Sequence, residues 1–147
     1  ALASSYAPST LIRIPRTGDL LLVWNQVSAE EILNGLHRHR LSTAISKDQG
    51  ETWGHFRNLE SLDNRAQIAA PTGVPKVIRM TDYGYRQPDP ARYPHAPGCL
   101  RICYATVAFA KNEAAITYDY GSGVGPLQNR HSTRIKVLSL DWFYGRS

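Results

Sequence analysis

Short apolar runs separated by turn residues mark the first sixty positions of the chain. Residues 10–14 are apolar or β-branched except for Arg13 and end at Pro15, a polar turn follows at 17–19, and residues 20–24 form a continuous apolar run of strand length. Two such runs joined by a short turn are typical of a β-hairpin. The pattern therefore predicts a hairpin over residues 10–24.

A short helix and two more strands are expected to complete this first unit. Ser28-Ala29-Glu30-Glu31 fits a capping box, in which a serine and a glutamate satisfy each other's backbone amides, and it predicts a helix over 29–34. Larger and smaller side chains alternate over 41–46, which is the period of a strand. A turn at 48–50 leads to a further strand at about 54–60, so the first unit has four strands.

After the first unit, the sequence contains a proline-rich stretch and then a second set of strand patterns. Residues 62–98 contain six prolines and three glycines, and only residues 77–80 resemble a strand, so this stretch is expected to be a long structured loop. Strand signals return at 100–109 and 115–120, a glycine-rich connector follows at 121–125, and a last strand is predicted over 134–143. The chain is therefore expected to be all-β, with one short helix and a second unit of three or four strands.

Composition narrows the class without naming a function. The 147 residues are 42% hydrophobic and 20% charged, which fits one globular domain and excludes a disordered chain. No apolar run is long enough for a transmembrane helix, and no signal peptide is visible. The net charge of +5 favours anionic partners. The localisation stays unknown.

The two cysteines and the histidines predict no metal site and no disulfide. Cys99 and Cys103 lie four positions apart, which in an extended strand separates their Cα atoms by about 13 Å, too far for a disulfide. His37 and His39 are only two potential ligands, and a zinc site needs more. No cofactor is expected, and the three tryptophans are expected to belong to the core before they serve as sugar platforms.

One turn motif is complete at every fixed position. The segment Ser46-Lys47-Asp48-Gln49-Gly50-Glu51-Thr52-Trp53 has the pattern Ser-x-Asp-x-Gly-x-Thr-Trp, known as the Asp-box. Short polar side chains can accept hydrogen bonds from the amides of their own turn. Glycine permits a backbone conformation that other residues avoid, and tryptophan can cover the turn. The structural Asp-box residues are thus Ser46, Asp48, Gly50, Thr52 and Trp53.

The chain resembles the sialidase (neuraminidase) superfamily, whose BNR or Asp-box repeats occur in a six-bladed β-propeller. Besides the Asp-box, residues 8–25, 38–46, 57–60 and 135–144 are similar to the C-terminal blades of bacterial sialidase-like proteins. The resemblance implies about two four-stranded blades in one partial propeller domain over 1–147. The blade units would be about 8–61 and 99–144, separated by the proline-rich insertion 62–98.

The resemblance also implies candidate site residues. In that family three arginines hold the substrate carboxylate, a tyrosine assisted by a glutamate is the nucleophile, and an aspartate is the acid/base. Arg38 lies eight positions before Ser46, as the third family arginine does, and Arg40 is its rival. Tyr104, in a segment similar to that of the family nucleophile, is the candidate nucleophile, and Tyr93 is its rival.

The remaining catalytic groups belong to earlier blades in that family and are not expected in this chain. The sequence therefore indicates a sialidase-like glycoside hydrolase fragment or remnant that is catalytically incomplete alone. A non-catalytic carbohydrate-binding module, or an oligomeric propeller-forming interaction module, is the alternative. The expected ligand is sialic acid or another acidic glycan. Neither a nucleic acid nor a membrane is an expected partner, since no nucleic-acid motif is present.

Self-association is a further expectation from the same resemblance. A propeller blade buries both faces against its neighbours, so two blades alone would leave two apolar faces exposed. Three copies of two blades would close a six-bladed ring, and a twofold dimer is the simpler alternative. The chain is therefore expected to be a homo-oligomer.

Overall fold

A computed structural model describes residues 2–34, 36–61, 63–69, 101–122 and 130–146. These residues form two antiparallel sheets and two short helices. The first sheet has the order β1-β2-β3-β4, with strands β1 (Thr10–Arg13), β2 (Leu20–Asn25), β3 (Arg40–Ser46) and β4 (Gly54–Ser61). The second sheet has the order β5-β6-β7, with strands β5 (Arg101–Ala110), β6 (Glu113–Ser122) and β7 (Arg130–Ser139). The chain is thus mostly β, as predicted.

The predicted N-terminal hairpin is confirmed. β1 pairs antiparallel with β2, with Thr10 opposite Val23 and Arg13 opposite Leu20. The turn closes through backbone hydrogen bonds from Ile14 to Asp19 and from Gly18 to Ile14, each 2.9 Å long. Gly18 has φ 78°, a left-handed conformation that glycine adopts at little cost. Local sequence is therefore enough to specify this unit.

The predicted capping box is present at the first helix, α1 (Ala29–Leu33). The backbone N–H of Glu31 donates to Ser28 Oγ at 3.2 Å, and the backbone N–H of Ser28 donates to Glu31 Oε2 at 2.9 Å. The helix ends at Asn34. The prediction of a short helix at 29–34 is confirmed, and the carboxylate of Glu31 is left facing the start of β3.

The predicted last strand, 134–143, is wrong at its C-terminal end. β7 covers Arg130–Ser139, and a second helix, α2 (Leu140–Phe143), follows it. Ser139 caps this helix by accepting a hydrogen bond from the backbone N–H of Trp142 at 3.2 Å. Leu140 and Phe143 are three positions apart, which in a helix brings both onto the buried face. The chain therefore has two short helices in the described part, where one was expected.

The two sheets share one apolar core. Its members come from both sheets and from α2, and include Leu21, Ile45, Ile116, Tyr118 and Phe143. Backbone contacts join the sheets at one end of β3, where the N–H of Ile102 donates to Arg38 O at 2.7 Å. Asn25 Nδ2 reinforces this junction by donating to Ile102 O at 2.7 Å and to Arg40 O at 2.9 Å.

Several sequence predictions fall on residues that are not described. The possible strand at 77–80, most of the insertion 62–98, Tyr93 and Cys99 all lie outside the described ranges. Of the predicted connector 121–125, Gly121 and Ser122 end β6, where they pair with His131 and Arg130. No helix in the described part of the chain is long and apolar enough to cross a membrane.

Candidate functional site

The junction between the two sheets brings Arg38 and Tyr104 together from positions 66 residues apart. Arg38 lies two residues before β3, and Tyr104 lies in β5. Arg38 Nη1 donates to Tyr104 Oη at 2.9 Å, and the guanidinium carbon of Arg38 is 4.9 Å from the centre of the Tyr104 ring. Both distances are those of direct contact. The two residues that the resemblance singles out are thus neighbours.

Tyr104 has an unusual backbone conformation for its residue type. Its φ is 56°, in the left-handed region that bulky residues rarely adopt, and the β5–β6 register shifts between Cys103 and Thr106. A β-bulge of this kind can re-aim a side chain and is common beside functional sites. Tyr104 as a whole residue is 45% exposed. A strained backbone at an exposed tyrosine supports the hypothesis that Tyr104 has a functional role.

A second arginine, Arg101, reaches the same phenol oxygen. Arg101 Nη2 is 3.4 Å from Tyr104 Oη, and its guanidinium carbon is 5.5 Å from the centre of that ring. Sequence reasoning missed this residue. In a regular strand, residues three apart point to opposite faces, so Arg101 would point away from Tyr104. The bulge at Cys103 removes that separation, and the sequence carries no signal for the bulge.

The thiol of Cys103 lies beneath the two arginines. Arg38 Nη1 is 3.6 Å and Arg101 Nε is 3.5 Å from its sulfur, and Cys103 is fully buried. The hydrogen bond to this sulfur is the largest of the influences that raise the pKa of Arg101 above its ordinary value. Arg101 Nε is also 3.6 Å from a carboxylate oxygen of Asp119. The guanidinium group of Arg101 therefore remains charged.

Arg38 has no carboxylate within ion-pair distance among the described residues, and its Nε has no hydrogen-bond acceptor there. Its neighbours are the rings of Tyr104 and Tyr6, the latter 5.4 Å from the guanidinium carbon. A guanidinium group binds a carboxylate through paired N–H donors. Arg38 can therefore bind a ligand carboxylate, because no carboxylate of the described residues lies within ion-pair distance of it.

Arg40, the rival of Arg38, lies in a different environment. Its side chain has no exposed surface. Arg40 Nη2 is 2.9 Å from Glu31 Oε1 and 2.6 Å from Asp63 Oδ2, and Nη1 donates to Gln26 O at 2.9 Å. Because these groups occupy its donors inside the protein, Arg40 is not placed to contact a substrate carboxylate. The geometry favours Arg38.

The carboxylate of Glu31 contacts His39 and Arg65 as well as Arg40. Arg65 Nη2 is 2.6 Å and His39 Nε2 is 3.2 Å from Glu31 Oε1. Burial alone would raise the pKa of Glu31, but hydrogen bonds from His39 and Arg40 outweigh it and hold the pKa well below its ordinary value. We call Glu31, His39, Arg40, Asp63 and Arg65 the internal ion cluster. It fastens α1 to β3 and to the segment after β4.

A second tyrosine of the same sheet, Tyr118, is paired with a glutamate. Tyr118 Oη donates to Glu60 Oε2 at 2.6 Å, and Arg134 and Lys136 lie 3.1 Å and 3.3 Å from that oxygen. The Tyr118 side chain is 1% exposed. Burial, followed by the bond to Glu60, raises the pKa of its phenol. A buried phenol of this kind joins the two sheets and is closed to a substrate.

The Asp-box forms a closed hydrogen-bond network between β3 and β4. Ser46 Oγ donates to Asp48 Oδ1 at 2.8 Å, and the backbone amides of Gly50 and Thr52 donate to Ser46 Oγ and Asp48 Oδ1, each at 2.8 Å. The hydrogen bond from the Thr52 hydroxyl is the largest of the influences that lower the pKa of Asp48 to about 2. Gly50 has φ 99°. The polar groups of the Asp-box therefore form their hydrogen bonds within the turn itself.

The Asp-box lies far from Arg38. β3 separates them by its seven residues, which is roughly 20 Å at about 3.3 Å per residue. A cavity of about 210 Å³ near the Asp-box contains both signs of charge, including Lys47, Arg146, Asp19 and Asp141. Tyr144 Oη donates to Asp19 there at 2.6 Å. The carboxylates of Asp19 and Asp141 at this end of the sheet have partners within the protein, Tyr144 and Arg146.

The other aromatic and metal-ligating candidates have structural positions. Trp24 is 2% exposed and its Nε1 donates to Ala3 O at 2.9 Å, so it belongs to the core. Trp142 is partly buried and packs on Phe143 at 5.2 Å between ring centres. Within the described ranges, no three His, Cys, Asp or Glu residues are grouped as metal ligands.

Comparison with protein-family models, curated proteins and solved structures finds no match to this chain. The resemblance to sialidases therefore rests on the motifs, and the candidate site rests on the contacts of Arg38, Arg101 and Tyr104.

Proposed function

We propose that this chain is a sialidase-like module that binds the carboxylate of an acidic sugar, sialic acid being the expected ligand. Arg38 and Arg101 contact the carboxylate, and Tyr104 lies beside it. The single observation that carries the proposal is the 2.9 Å contact of Arg38 Nη1 with Tyr104 Oη, made by the two residues that the resemblance singles out.

The electrostatics of the site support an anionic ligand. Two guanidinium groups converge on Tyr104 Oη, and Arg38 has no carboxylate partner among the described residues. Arginine recognises planar carboxylates through two parallel hydrogen bonds. Arg40 is neutralised by the carboxylates of Glu31 and Asp63. A ligand carboxylate that accepts hydrogen bonds from Arg38 would neutralise Arg38 in the same way.

The propeller architecture is part of this proposal. The first sheet is an antiparallel meander of four strands with the Asp-box in the turn between β3 and β4. A four-stranded meander is the form of a propeller blade. We propose that β1–β4 correspond to one blade and β5–β7 to part of the next, and that the site lies where the two meet.

Hydrolysis is proposed to need more than this chain. Tyr104 is the candidate nucleophile, because a neutral phenol can attack an anionic sugar without repulsion between carboxylates. The resemblance assigns the acid/base aspartate and two further arginines to other blades. Covalent catalysis requires these groups to be assembled around one substrate. We therefore expect binding without turnover by the 147-residue chain.

The binding prediction is tested by titrating the α-methyl glycoside of N-acetylneuraminic acid in a calorimeter. Arg38→Ala is expected to weaken the affinity at least about tenfold, the scale of one lost charge-assisted hydrogen bond. Arg146→Ala is the matched control: it removes the same charge from a side chain that is 69% exposed near the Asp-box. Equal affinities of the two variants would contradict the proposal, as would absence of binding by the natural sequence.

Hydrolysis of a fluorogenic sialoside tests whether the chain is catalytically complete or incomplete. No turnover together with sialoside binding supports the incomplete hydrolase or the non-catalytic carbohydrate-binding module. Turnover that disappears in Tyr104→Phe would show that the chain holds a complete set of catalytic groups and that Tyr104 is the nucleophile.

Self-association is also proposed, and the outer face of the second sheet supports it. Ile135 and Val137 of β7 are 65% and 59% exposed. Across the strands they lie beside uncharged residues, in the rows Thr106–Thr117–Ile135 and Ala108–Ala115–Val137. Covering such a face with a second copy would remove apolar surface from water. Light scattering is expected to give a multiple of 16.4 kDa, and a stable monomer would contradict this expectation.

A further inference from the structure

The N-terminal segment is fixed against the end of β2. The backbone N–H of Ser5 donates to Asn25 O at 3.1 Å, and Trp24 Nε1 donates to Ala3 O at 2.9 Å. Ala3 and Ala7 are 3% and 9% exposed. Residues 3–7 are therefore held at both ends of a short span, and the side chain between these anchors has a defined position.

That side chain is Tyr6, which remains 63% exposed although the adjacent Ala7 is buried. Its ring centre is 5.4 Å from the guanidinium carbon of Arg38 and 5.7 Å from the ring centre of His37. Single exposed aromatic residues are common on protein surfaces. The position of Tyr6 is more specific, because its ring contacts the same guanidinium that Tyr104 contacts.

We propose that Tyr6 is a ligand-contacting residue that makes the site prefer a carboxylate carried on a sugar ring over a small free carboxylate. This inference rests on the proposed function. Ligand sites combine a few placed polar groups with aromatic walls that cover the apolar parts of the ligand. Arg38 and Arg101 supply the polar part, and Tyr6 supplies an exposed ring beside them.

A competing explanation is that Tyr6 only positions Arg38. A positioning residue would affect every anion that Arg38 binds, whatever the anion is attached to. A ligand-contacting residue would affect only anions with a ring that reaches it. Two probes, acetate and the α-methyl sialoside, therefore separate the two roles, because both carry a carboxylate and only one carries a sugar ring.

The test uses Tyr6→Ala and Tyr6→Phe, with Leu11→Ala as the matched control. Leu11 is 58% exposed on β1 and pairs with Leu22 in the hairpin. Tyr6→Ala is expected to weaken sialoside binding by ~5–10-fold, the scale of one aromatic contact, and to leave acetate binding unchanged. Tyr6→Phe and Leu11→Ala are expected to bind both probes like the natural sequence. Thermal melting of each variant checks that the fold is kept.

Two results would overturn the inference alone. Sialoside binding by Tyr6→Ala at natural affinity would show that the ring makes no ligand contact, and an equal loss for both probes would show that Tyr6 positions Arg38. Failure of the natural sequence to bind the sialoside would overturn the proposed function together with this inference.

Discussion

Arg38 and Arg40 are two positions apart in the sequence but have opposite surroundings. Arg40 is fully buried and is bound by the carboxylates of Glu31 and Asp63. Arg38 is partly buried, contacts the rings of Tyr6 and Tyr104, and has no carboxylate partner among the described residues. The same residue type thus belongs to the framework in one place and to a candidate binding site in the other.

The difference shows which arginines can serve an external anion. A buried guanidinium without a partner would be very costly, so Arg40 requires its carboxylates. A guanidinium held by aromatic rings keeps its attraction for negative charge, because the rings do not neutralise it. The surroundings of an arginine, rather than its distance from a motif, therefore indicate its function.

Removing Arg40 is expected to have the largest effect on stability. Arg40→Ala leaves Glu31 and Asp63 without their buried guanidinium partner, and breaking a buried pair in this way costs about 3–5 kcal/mol of the free energy of unfolding. Urea denaturation followed by circular dichroism measures the loss. Arg38→Ala is the matched control and is expected to change the same quantity by less than about 1 kcal/mol. Comparable losses in the two variants would erase the contrast between the arginines.

If Arg40→Ala does not fold well enough for denaturation, Arg40→Lys gives the same information. Lysine keeps the charge but lacks the planar set of donors that reaches two carboxylates. Its free energy of unfolding is expected to lie between those of the natural sequence and Arg40→Ala. A lysine variant as stable as the natural sequence would show that geometry in the internal ion cluster is unimportant.

Acid is expected to weaken the framework, because folding lowers the pKa of several carboxyl groups. The pKa of Glu31 lies well below its ordinary value of 4.5, that of Asp63 is also lowered, and that of Asp48 is about 2. A group with a lowered folded pKa stabilises the fold above its unfolded pKa and loses that contribution as the pH falls through the folded value. These carboxyl groups are therefore expected to contribute their full stabilisation above about pH 5 and to lose it progressively as the pH falls toward 2.

Two variants assign this acid dependence. Glu31→Gln is expected to be less stable at neutral pH and to lose less on acidification, since its cluster no longer takes up a proton at Glu31. Asp48→Asn is expected to remove only the smaller part of the acid dependence, namely the part that comes from Asp48 in the Asp-box. Thermal melting from pH 7 to pH 2 measures both. A Glu31→Gln curve parallel to that of the natural sequence would show that other groups cause the loss.

The backbone at Tyr104 gives the smallest predicted effect. Tyr104→Ala and Tyr104→Gly both remove the ring, and only glycine adopts φ 56° without steric cost. Tyr104→Gly is therefore expected to be more stable than Tyr104→Ala by about 1 kcal/mol. Urea denaturation of the pair measures this difference. Equal stabilities would mean that the bulge relaxes when the ring is absent, and that the conformation is not imposed by the sheet.

Much of the secondary structure could be predicted because its signals are local. The hairpin at 10–24, the strands near 41–46 and 54–60, and the helix starting at Ser28 follow from alternation, turn residues and a capping box. The error at the C-terminus has a local cause too. Residues 140–143 are as apolar as a strand, and only the cap at Ser139 distinguishes them as a helix.

By itself the sequence determined most of the strands, α1 and the Asp-box motif, and the resemblance added Arg38 with Arg40 as its alternative and Tyr104 with Tyr93 as its alternative. The tertiary structure decided which arginine is buried and paired with carboxylates. Its partners at positions 31 and 63 lie outside β3 in the sequence, and folding brings them to Arg40. It also decided that Arg101 lies beside Tyr104 and that Tyr6 lies beside Arg38. A β-bulge and an anchored N-terminal segment place Arg101 and Tyr6, and both result from packing between elements that no short stretch of sequence contains.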